Sequence, residues 1–171
     1  WKTFEPPGWV RSTGEFMTKA LVITTTGINC DLELAEAFEL AGATPVSVHL
    51  NRLLHQPELV EEFDLVGLPG GFSYGDAVAA GRIAAQLIRS GLYDSLRAAV
   101  SRGVPMIAPC NGFQIAVQVG LLPDPSVSST PPVPTVALAD NTSARFIDRW
   151  VRFSVPTNTT CVWTRGLQLN D

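Results

Sequence analysis

Short apolar segments alternate with helical patterns along most of the chain. The run 20–24 is apolar and β-branched, and Leu34, Phe38 and Ala41 then recur at the three- and four-residue spacings of a helix that ends at Gly42. Three further strands are predicted by apolar runs or alternation, over 46–50, 63–68 and 104–108. Because strands that are apolar on both faces and separated by helices belong to parallel sheets, the pattern predicts a doubly wound α/β fold.

Helices are predicted in the intervals between these strands and after the last one. A helical turn follows Pro57, and longer helices are predicted over 76–90, 92–102 and 113–119, each before a glycine. Asn29 or Asp31 is expected to cap the first helix, and Asp76 is expected to cap the helix predicted over 76–90. In a doubly wound sheet, ligands bind at the carboxyl ends of the strands. The loops that matter most are therefore 25–31, 69–76 and 109–113.

The two ends of the chain depart from this alternation. Residues 1–18 show no period before the strand pattern begins and are interpreted as an irregular N-terminal extension, the alternative being an ordered arm packed through its tryptophans. The main domain is then 19–171. A segment rich in proline and serine, 122–135, predicts a surface loop. Two more strands, 133–139 and 150–155, are predicted after it with no helix between them.

Composition and charge narrow the class of protein. The 171 residues are 46% hydrophobic, which indicates a packed globular protein rather than a disordered chain. Sixteen acidic residues against 12 lysines and arginines give a net charge of −4, the wrong sign for nucleic acid or an anionic membrane. With neither a long apolar stretch nor a signal peptide pattern, a cytoplasmic protein is expected. The spacing of the three cysteines matches neither a disulfide scaffold nor a zinc site, so no metal is expected.

One of these cysteines carries the strongest chemical signal. An apolar run ends at Cys110 and a helix is predicted directly after it, which is the form of a nucleophile elbow with cysteine in place of serine. At a helix N-terminus the dipole and the unpaired N–H groups favour the reactive thiolate. Gly112 suits this turn because a side chain there would crowd the neighbouring strand. The alternative is a buried cysteine that acts as a small hydrophobic residue.

A pair of glycines follows another apolar strand. Gly70 and Gly71 can turn backbone N–H groups toward one point and form an anion-binding nest. Together with the amide of Asn111, this nest would make an oxyanion hole beside the thiolate. The alternatives are an ordinary tight turn or a phosphate site, and the sequence lacks the glycine spacing of known nucleotide-binding loops.

These segments together resemble a known family. The sequences PGGFSYGD and CNGFQ, with TTTGINCD after the first strand and HLNRL after the second, are similar to the glutaminase subunit of phosphoribosylformylglycinamidine synthase, a class I glutamine amidotransferase of purine biosynthesis. The resemblance runs from about residue 19 to the end of the chain. It implies the class I amidotransferase fold and hydrolysis of L-glutamine.

The resemblance also implies roles for single residues and for partners. Cys110 would be the nucleophile, Gly71 and Asn111 would supply the oxyanion-hole amides, and Gly70 and Gln114 would contact the substrate. Ammonia would pass to an ATP-dependent synthetase subunit that uses ATP and Mg²⁺, with a small accessory subunit in the same complex. No cofactor is expected in this chain itself.

One part of the family pattern is missing. The family's general base lies in a His-x-Glu motif well after the cysteine, whereas His49 and His55 both precede Cys110. The resemblance gives His49 no catalytic role and it is interpreted as a strand-end or surface residue. The chain is therefore interpreted as a fragment that lacks its last strands and its base, and that is inactive alone.

Two other functions stay open from the sequence. A non-catalytic docking subunit, or an inactive fragment of the same fold, would explain the missing motif but not the elbow and the glycine pair. A PfpI-type cysteine hydrolase would share the elbow, but in those enzymes a histidine follows the nucleophile and here it is Asn111.

Overall fold

A four-stranded parallel sheet forms the centre of the fold. This computed structural model describes residues 17–123, 134–156 and 158–164. The strands are β1 (Lys19–Thr24), β2 (Thr44–His49), β3 (Leu65–Gly67) and β4 (Met106–Ile107), and their order in the sheet is β2-β1-β3-β4. All three neighbouring pairs are parallel. The predicted doubly wound α/β sheet is confirmed, and its strand order reverses between β1 and β3.

Helices connect or follow the strands. Those of the described residues are α1 (Asp31–Leu40), α2 (Leu50–His55), α3 (Arg82–Gly91), α4 (Tyr93–Ser101) and α5 (Asn111–Val119). Short 3-10 turns occur at Pro57–Glu62, Ser73–Asp76 and Val162–Thr164. Helix α2 was not predicted, because the alternation that indicates β2 continues through Leu50, where the helix in fact begins.

The central strand β1 explains how the layers pack. Its side chains alternate between the two faces of the sheet, and residues 20–23 are all buried. Leu21 and Ile23 pack in the large core that includes residues of α3, α4 and α5. Ala20 and Val22 pack in a smaller cluster with Leu34 and Phe38 of α1. Helices therefore cover both faces, as a parallel sheet requires.

Three predictions about the starts and caps of helices are wrong. The predicted helix 76–90 begins only at Arg82, because Val78 at φ +74° and Gly81 at φ +71° have left-handed backbone that a helix cannot include. Asp76 consequently does not cap α3, and its carboxylate instead accepts the N–H of Gly81 at 3.3 Å. The N-cap of α1 is Cys30 without a side-chain hydrogen bond, so neither Asn29 nor Asp31 caps it.

By its internal contacts the chain divides into two compact units, residues 1–138 and 139–171. In the second unit, the described residues are mostly exposed and carry the 3-10 turn at Val162–Thr164. The two strands predicted after the proline-rich loop are wrong for residues 134–139 and 150–155, which have no strand structure. Alternation alone does not make a strand, because a strand also needs a neighbouring backbone to hydrogen-bond with.

Two of the predicted segments lie partly outside the residues that the structure describes. Residues 1–16 of the predicted extension, and residues 124–133 of the proline-rich loop, lie outside the described residues. In the parts of the chain that the structure describes, no helix has the length and apolar character needed to cross a membrane.

Candidate active site

Cys110 lies at a sharp turn between β4 and α5. Its backbone has φ +51° and ψ −117°, its side chain is exposed, and α5 begins at the next residue. A non-glycine residue in such a conformation costs on the order of 1–3 kcal/mol, and such strain concentrates at functional sites. The predicted strand-to-helix turn is therefore present, and it presents the thiol to solvent rather than burying it.

Gly112 allows this turn to form against the neighbouring strand. A methyl group at Gly112 would overlap the carbonyl oxygen of Leu68 and would lie 2.8 Å from the Leu68 carbonyl carbon. The first turn of α5 thus packs directly on the backbone that follows β3. The prediction that a side chain at this position would crowd the neighbouring strand is confirmed.

The glycine pair lies beside the cysteine. A methyl group at Gly70, which is buried, would lie 3.2 Å from Cβ of Cys110. Gly71 has φ +124°, and a methyl group there would lie 2.7 Å from the backbone nitrogen of Asn29. A side chain at Gly71 would clash with the loop after β1, and one at Gly70 would press tightly on the elbow, because two loops and the elbow meet here.

Backbone hydrogen bonds join the loop after β3 (residues 68–81, here called the glycine loop) to the loop after β1. The N–H of Phe72 donates to Gly27 O at 3.1 Å, and the N–H of Tyr74 donates to Thr26 O at 2.7 Å. An isolated antiparallel bridge pairs Ile28 with residue 71. The loops after β1 and β3 therefore form one hydrogen-bonded unit at the point where the strand order reverses, which is where doubly wound proteins bind ligands.

The side chain of Asn111 ties this unit to the elbow. It is buried, and its Oδ1 accepts a hydrogen bond from Ser73 Oγ at 2.7 Å and from the Ser73 N–H at 3.4 Å. Its Nδ2 donates to Asp76 Oδ1 and to Gln114 Oε1, each at 3.0 Å. The residue after the cysteine thus holds the glycine loop and the first turn of α5 with one amide group.

Gln114 has a structural contact in addition to its predicted role. Its Oε1 accepts from Asn111, and its backbone N–H donates to Cys110 O at 3.2 Å in the first turn of α5. The side chain is half-buried one helical turn beyond the cysteine. The hydrogen bond from Asn111 fixes the position of this side chain, and its contact with a substrate stays a prediction.

Left-handed backbone recurs along the glycine loop. The residues concerned are Gly71, Tyr74, Gly75, Asp76 and Val78. Burial raises the pKa of the Tyr74 phenol above its ordinary value, because the phenolate loses solvation. Strain at so many neighbouring positions persists only where surrounding contacts fix the loop, and the hydrogen bonds to the loop after β1 and to Asn111 do so here.

Sequence reasoning found the cysteine, the glycine pair, Asn111 and Gln114, and the structure brings them together. It missed Ser73 and Asp76 as partners of the Asn111 side chain. Both are polar residues in the loop after β3, so the meeting of strand ends at one edge of the sheet was the available signal. Gly71 lies in the loop after β3 and Asn111 is the first residue of α5, and the oxyanion-hole role of their backbone N–H groups stays a prediction.

The histidines lie elsewhere in the described fold. His49 ends β2, and its Nδ1 accepts the N–H of Asn51 at 3.2 Å as the N-cap of α2. Because β2 lies three positions from β4 in the sheet, the spacing between strands alone separates the two by about 14 Å. The interpretation of His49 as a strand-end residue is confirmed. Within the described ranges, no group of three histidine, cysteine or acidic side chains could hold a metal ion.

The parallel sheet and the exposed cysteine at a strand-to-helix turn define an α/β protein with the geometry of a nucleophile elbow. Residues 17–170 match the CobB/CobQ-like glutamine amidotransferase domain. The chain belongs to this family.

Individual relatives agree with the resemblance found in the sequence motifs. The subunit PurQ of phosphoribosylformylglycinamidine synthase from Dehalococcoides mccartyi is 40% identical over 149 residues, covering 87% of this chain and 57% of that protein. The same subunit from Treponema denticola is 35% identical over 159 residues, covering 89% of this chain and 58% of that protein. The structure of PurLQS from Thermotoga maritima matches with a TM-score of 0.59 and 34% identity, covering 79% of this chain and 54% of that chain. This chain therefore spans a little over half the length of each.

Proposed function

We propose that this chain carries the glutamine-hydrolysing site of a phosphoribosylformylglycinamidine synthase. The observation that carries the proposal is the exposed thiol of Cys110 on strained backbone between β4 and α5, with Gly70 directly beside it. Membership of the amidotransferase family supports glutamine as the substrate. The names of the relatives support this particular synthase.

The proposed reaction uses groups that the elbow and the glycine loop supply. The Cys110 thiolate attacks the side-chain amide carbon of L-glutamine, and the N–H groups of Gly71 and Asn111 stabilise the negative oxygen that develops. The carbon–nitrogen bond then breaks, the departing nitrogen takes one proton from water and leaves as ammonia, and a glutamyl thioester remains. Water hydrolyses the thioester to glutamate and restores the thiol. Gly70 and Gln114 contact the bound glutamine.

The ammonia is used by partner subunits in this proposal. A synthetase subunit accepts it and uses ATP and Mg²⁺, and a small accessory subunit completes the complex. The similarity to the PurLQS structure from Thermotoga maritima supports such an assembly. An ATP-dependent synthetase works where ATP is abundant, so the proposal places the complex in the cytoplasm.

Labelling with an electrophilic glutamine analogue tests the nucleophile directly. A diazo-ketone analogue of glutamine should alkylate Cys110 within the tryptic peptide 103–145, and excess L-glutamine should slow the reaction. Cys161→Ala is the matched control, because that thiol is also exposed but lies in the second unit and should not affect labelling. Labelling that is equal at both cysteines, or that glutamine does not slow, would contradict a glutamine site.

Ammonia release tests the complete reaction. The protein in its full-length form, with the His-x-Glu base that the family pattern requires, is assayed together with a synthetase subunit, and Cys110→Ala should abolish ammonia release from glutamine while Cys161→Ala retains it. Release that persists in Cys110→Ala rules out the proposed nucleophile. Labelling of Cys110 without any release in the presence of the synthetase would instead favour a docking subunit.

A further inference from the structure

Gly70 separates two cysteine side chains. A methyl group at this buried glycine would meet Cβ of Cys110 at 3.2 Å, Cβ of Cys30 at 3.7 Å and Sγ of Cys30 at 3.8 Å. These are the three heavy atoms nearest to that position, apart from the adjacent residues. The Cβ atoms of Cys30 and Cys110 therefore both lie within 4 Å of the point that a side chain at residue 70 would occupy.

The Cβ atoms of the two cysteines are close enough to form a disulfide after a movement of the loop. Two atoms 3.2 and 3.7 Å from one point are at most about 7 Å apart, and a disulfide needs Cβ atoms about 4 Å apart. Cys30 precedes α1 and makes no side-chain cap hydrogen bond to that helix. The one hydrogen bond of its thiol is a weak contact of 3.9 Å to Asn29 Oδ1. Closing the bond requires the Cβ atoms to approach by up to about 3 Å, and at the Cys30 side chain this movement breaks only that weak contact.

Both thiols are accessible to a small oxidant. Cys110 is exposed and Cys30 is half-exposed. The third cysteine, Cys161, is also exposed but belongs to the second unit of the chain. An accessible thiolate with a second cysteine beside it is the usual arrangement of a redox-sensitive pair.

We propose that Cys30 and Cys110 form a reversible disulfide under peroxide stress. The Cys110 thiolate attacks one oxygen of hydrogen peroxide, the O–O bond breaks, and a sulfenic acid and one water result. The Cys30 thiolate then attacks the Cys110 sulfur, the S–O bond breaks, and the second water leaves. The two thiols lose two electrons and two protons, and the peroxide is reduced to two waters. A small dithiol reverses the bond by thiol exchange.

The disulfide has two consequences at this site. It shields Cys110 from further oxidation to the irreversible sulfinic acid. It also occupies the sulfur that attacks glutamine, so hydrolysis would stop on oxidation and resume on reduction. This second consequence rests on the proposed function, whereas bond formation itself does not.

Peptide mapping tests the proposal without any activity assay. Trypsin places Cys30, Cys110 and Cys161 in three separate peptides, 20–52, 103–145 and 153–165. The full chain is treated with hydrogen peroxide, blocked with iodoacetamide, digested without reductant and analysed by mass spectrometry. Peptides 20–52 and 103–145 should appear joined and should separate on treatment with dithiothreitol. Their absence as a joined pair would overturn the proposal.

Two variants and an unfolded control separate proximity from chance. Cys161→Ser should leave the joined pair unchanged, and Cys30→Ser should abolish it and increase sulfinic acid at Cys110. In urea the preferred pair should become 103–145 with 153–165, because Cys161 is nearer to Cys110 along the chain and shorter loops close more readily. If the folded chain already shows that pairing as its main product, the proposal is wrong.

Discussion

The hydroxyl of Ser73 donates a hydrogen bond of 2.7 Å to the side-chain oxygen of Asn111, although 38 residues separate them. Both residues are buried. This bond joins the loop after β3 to the helix that begins after the cysteine. The relative position of the glycine pair and the thiol therefore depends on a buried polar contact, and such contacts are costly to break on one side only.

Removing the Asn111 side chain should destabilise the fold. Asn111→Ala leaves Ser73, Asp76 and Gln114 each without one partner, and we expect a loss of about 2–3 kcal/mol in the free energy of unfolding. Ser73→Ala should cost about 1 kcal/mol. The loss of unfolding free energy in the double variant should be about 1 kcal/mol smaller than the sum of the losses in the two single variants. Urea unfolding measures all three losses.

The control for this cycle is Asn51→Ala. Asn51 is an exposed asparagine on α2, so its side-chain removal should change the unfolding free energy by no more than about 0.5 kcal/mol. Strict additivity of Ser73→Ala and Asn111→Ala would show that the bond between them contributes nothing to stability.

A methyl group at position 112 should disrupt the elbow. Gly112→Ala would place Cβ into the Leu68 carbonyl oxygen, and the backbone on both sides would have to move. We expect a cost of about 3 kcal/mol and slower labelling of Cys110 by the glutamine analogue. Gly103→Ala is the matched control, because that glycine has φ +85° but no heavy atom within 4 Å, so only backbone strain of about 1 kcal/mol should appear. Equal costs for the two variants would refute close packing at Gly112.

Gly67 permits the close approach of α1 to the sheet. A methyl group there would meet Leu34 Cδ2 at 2.7 Å and Phe38 Cε2 at 2.9 Å, so Gly67→Ala should cost about 1–3 kcal/mol. Because Leu34→Ala removes the first of these contacts, the double variant should be less destabilised than the sum of the two single changes. Thermal unfolding of all four chains measures this, and a double variant at or beyond the sum would contradict the contact.

Stability should fall at high pH through Tyr74. Burial raises the pKa of this phenol above 10.0 in the folded chain, so the unfolded chain releases its proton first as the pH rises. The contribution is fully present below pH 10.0 and is lost as the pH rises further. Tyr74→Phe should therefore flatten the decline in urea midpoint between about pH 9 and pH 11. Tyr93→Phe, which removes the other tyrosine, is the comparison, and an unchanged slope in Tyr74→Phe would disprove the assignment.

Much of the site was predictable because its chemistry is local in the chain. Cys110 follows an apolar run and precedes a helix, and the glycine pair follows another such run, so both could be placed at strand ends. The predicted caps at Asn29, Asp31 and Asp76 were wrong for a reason that lies outside these local patterns. Those polar residues are in loops whose shape depends on contacts with other loops, and propensity does not encode such contacts.

The sequence by itself determined the parallel sheet, the strand-to-helix turn at Cys110 and the family, because each follows from residues that are neighbours along the chain. Only the tertiary structure decided that Ser73 and Asp76 hold Asn111, and that Cys30 and Cys110 both lie beside Gly70. These contacts join separate strand ends. Their geometry is fixed by strand order and close packing, which hydrophobic periodicity does not specify.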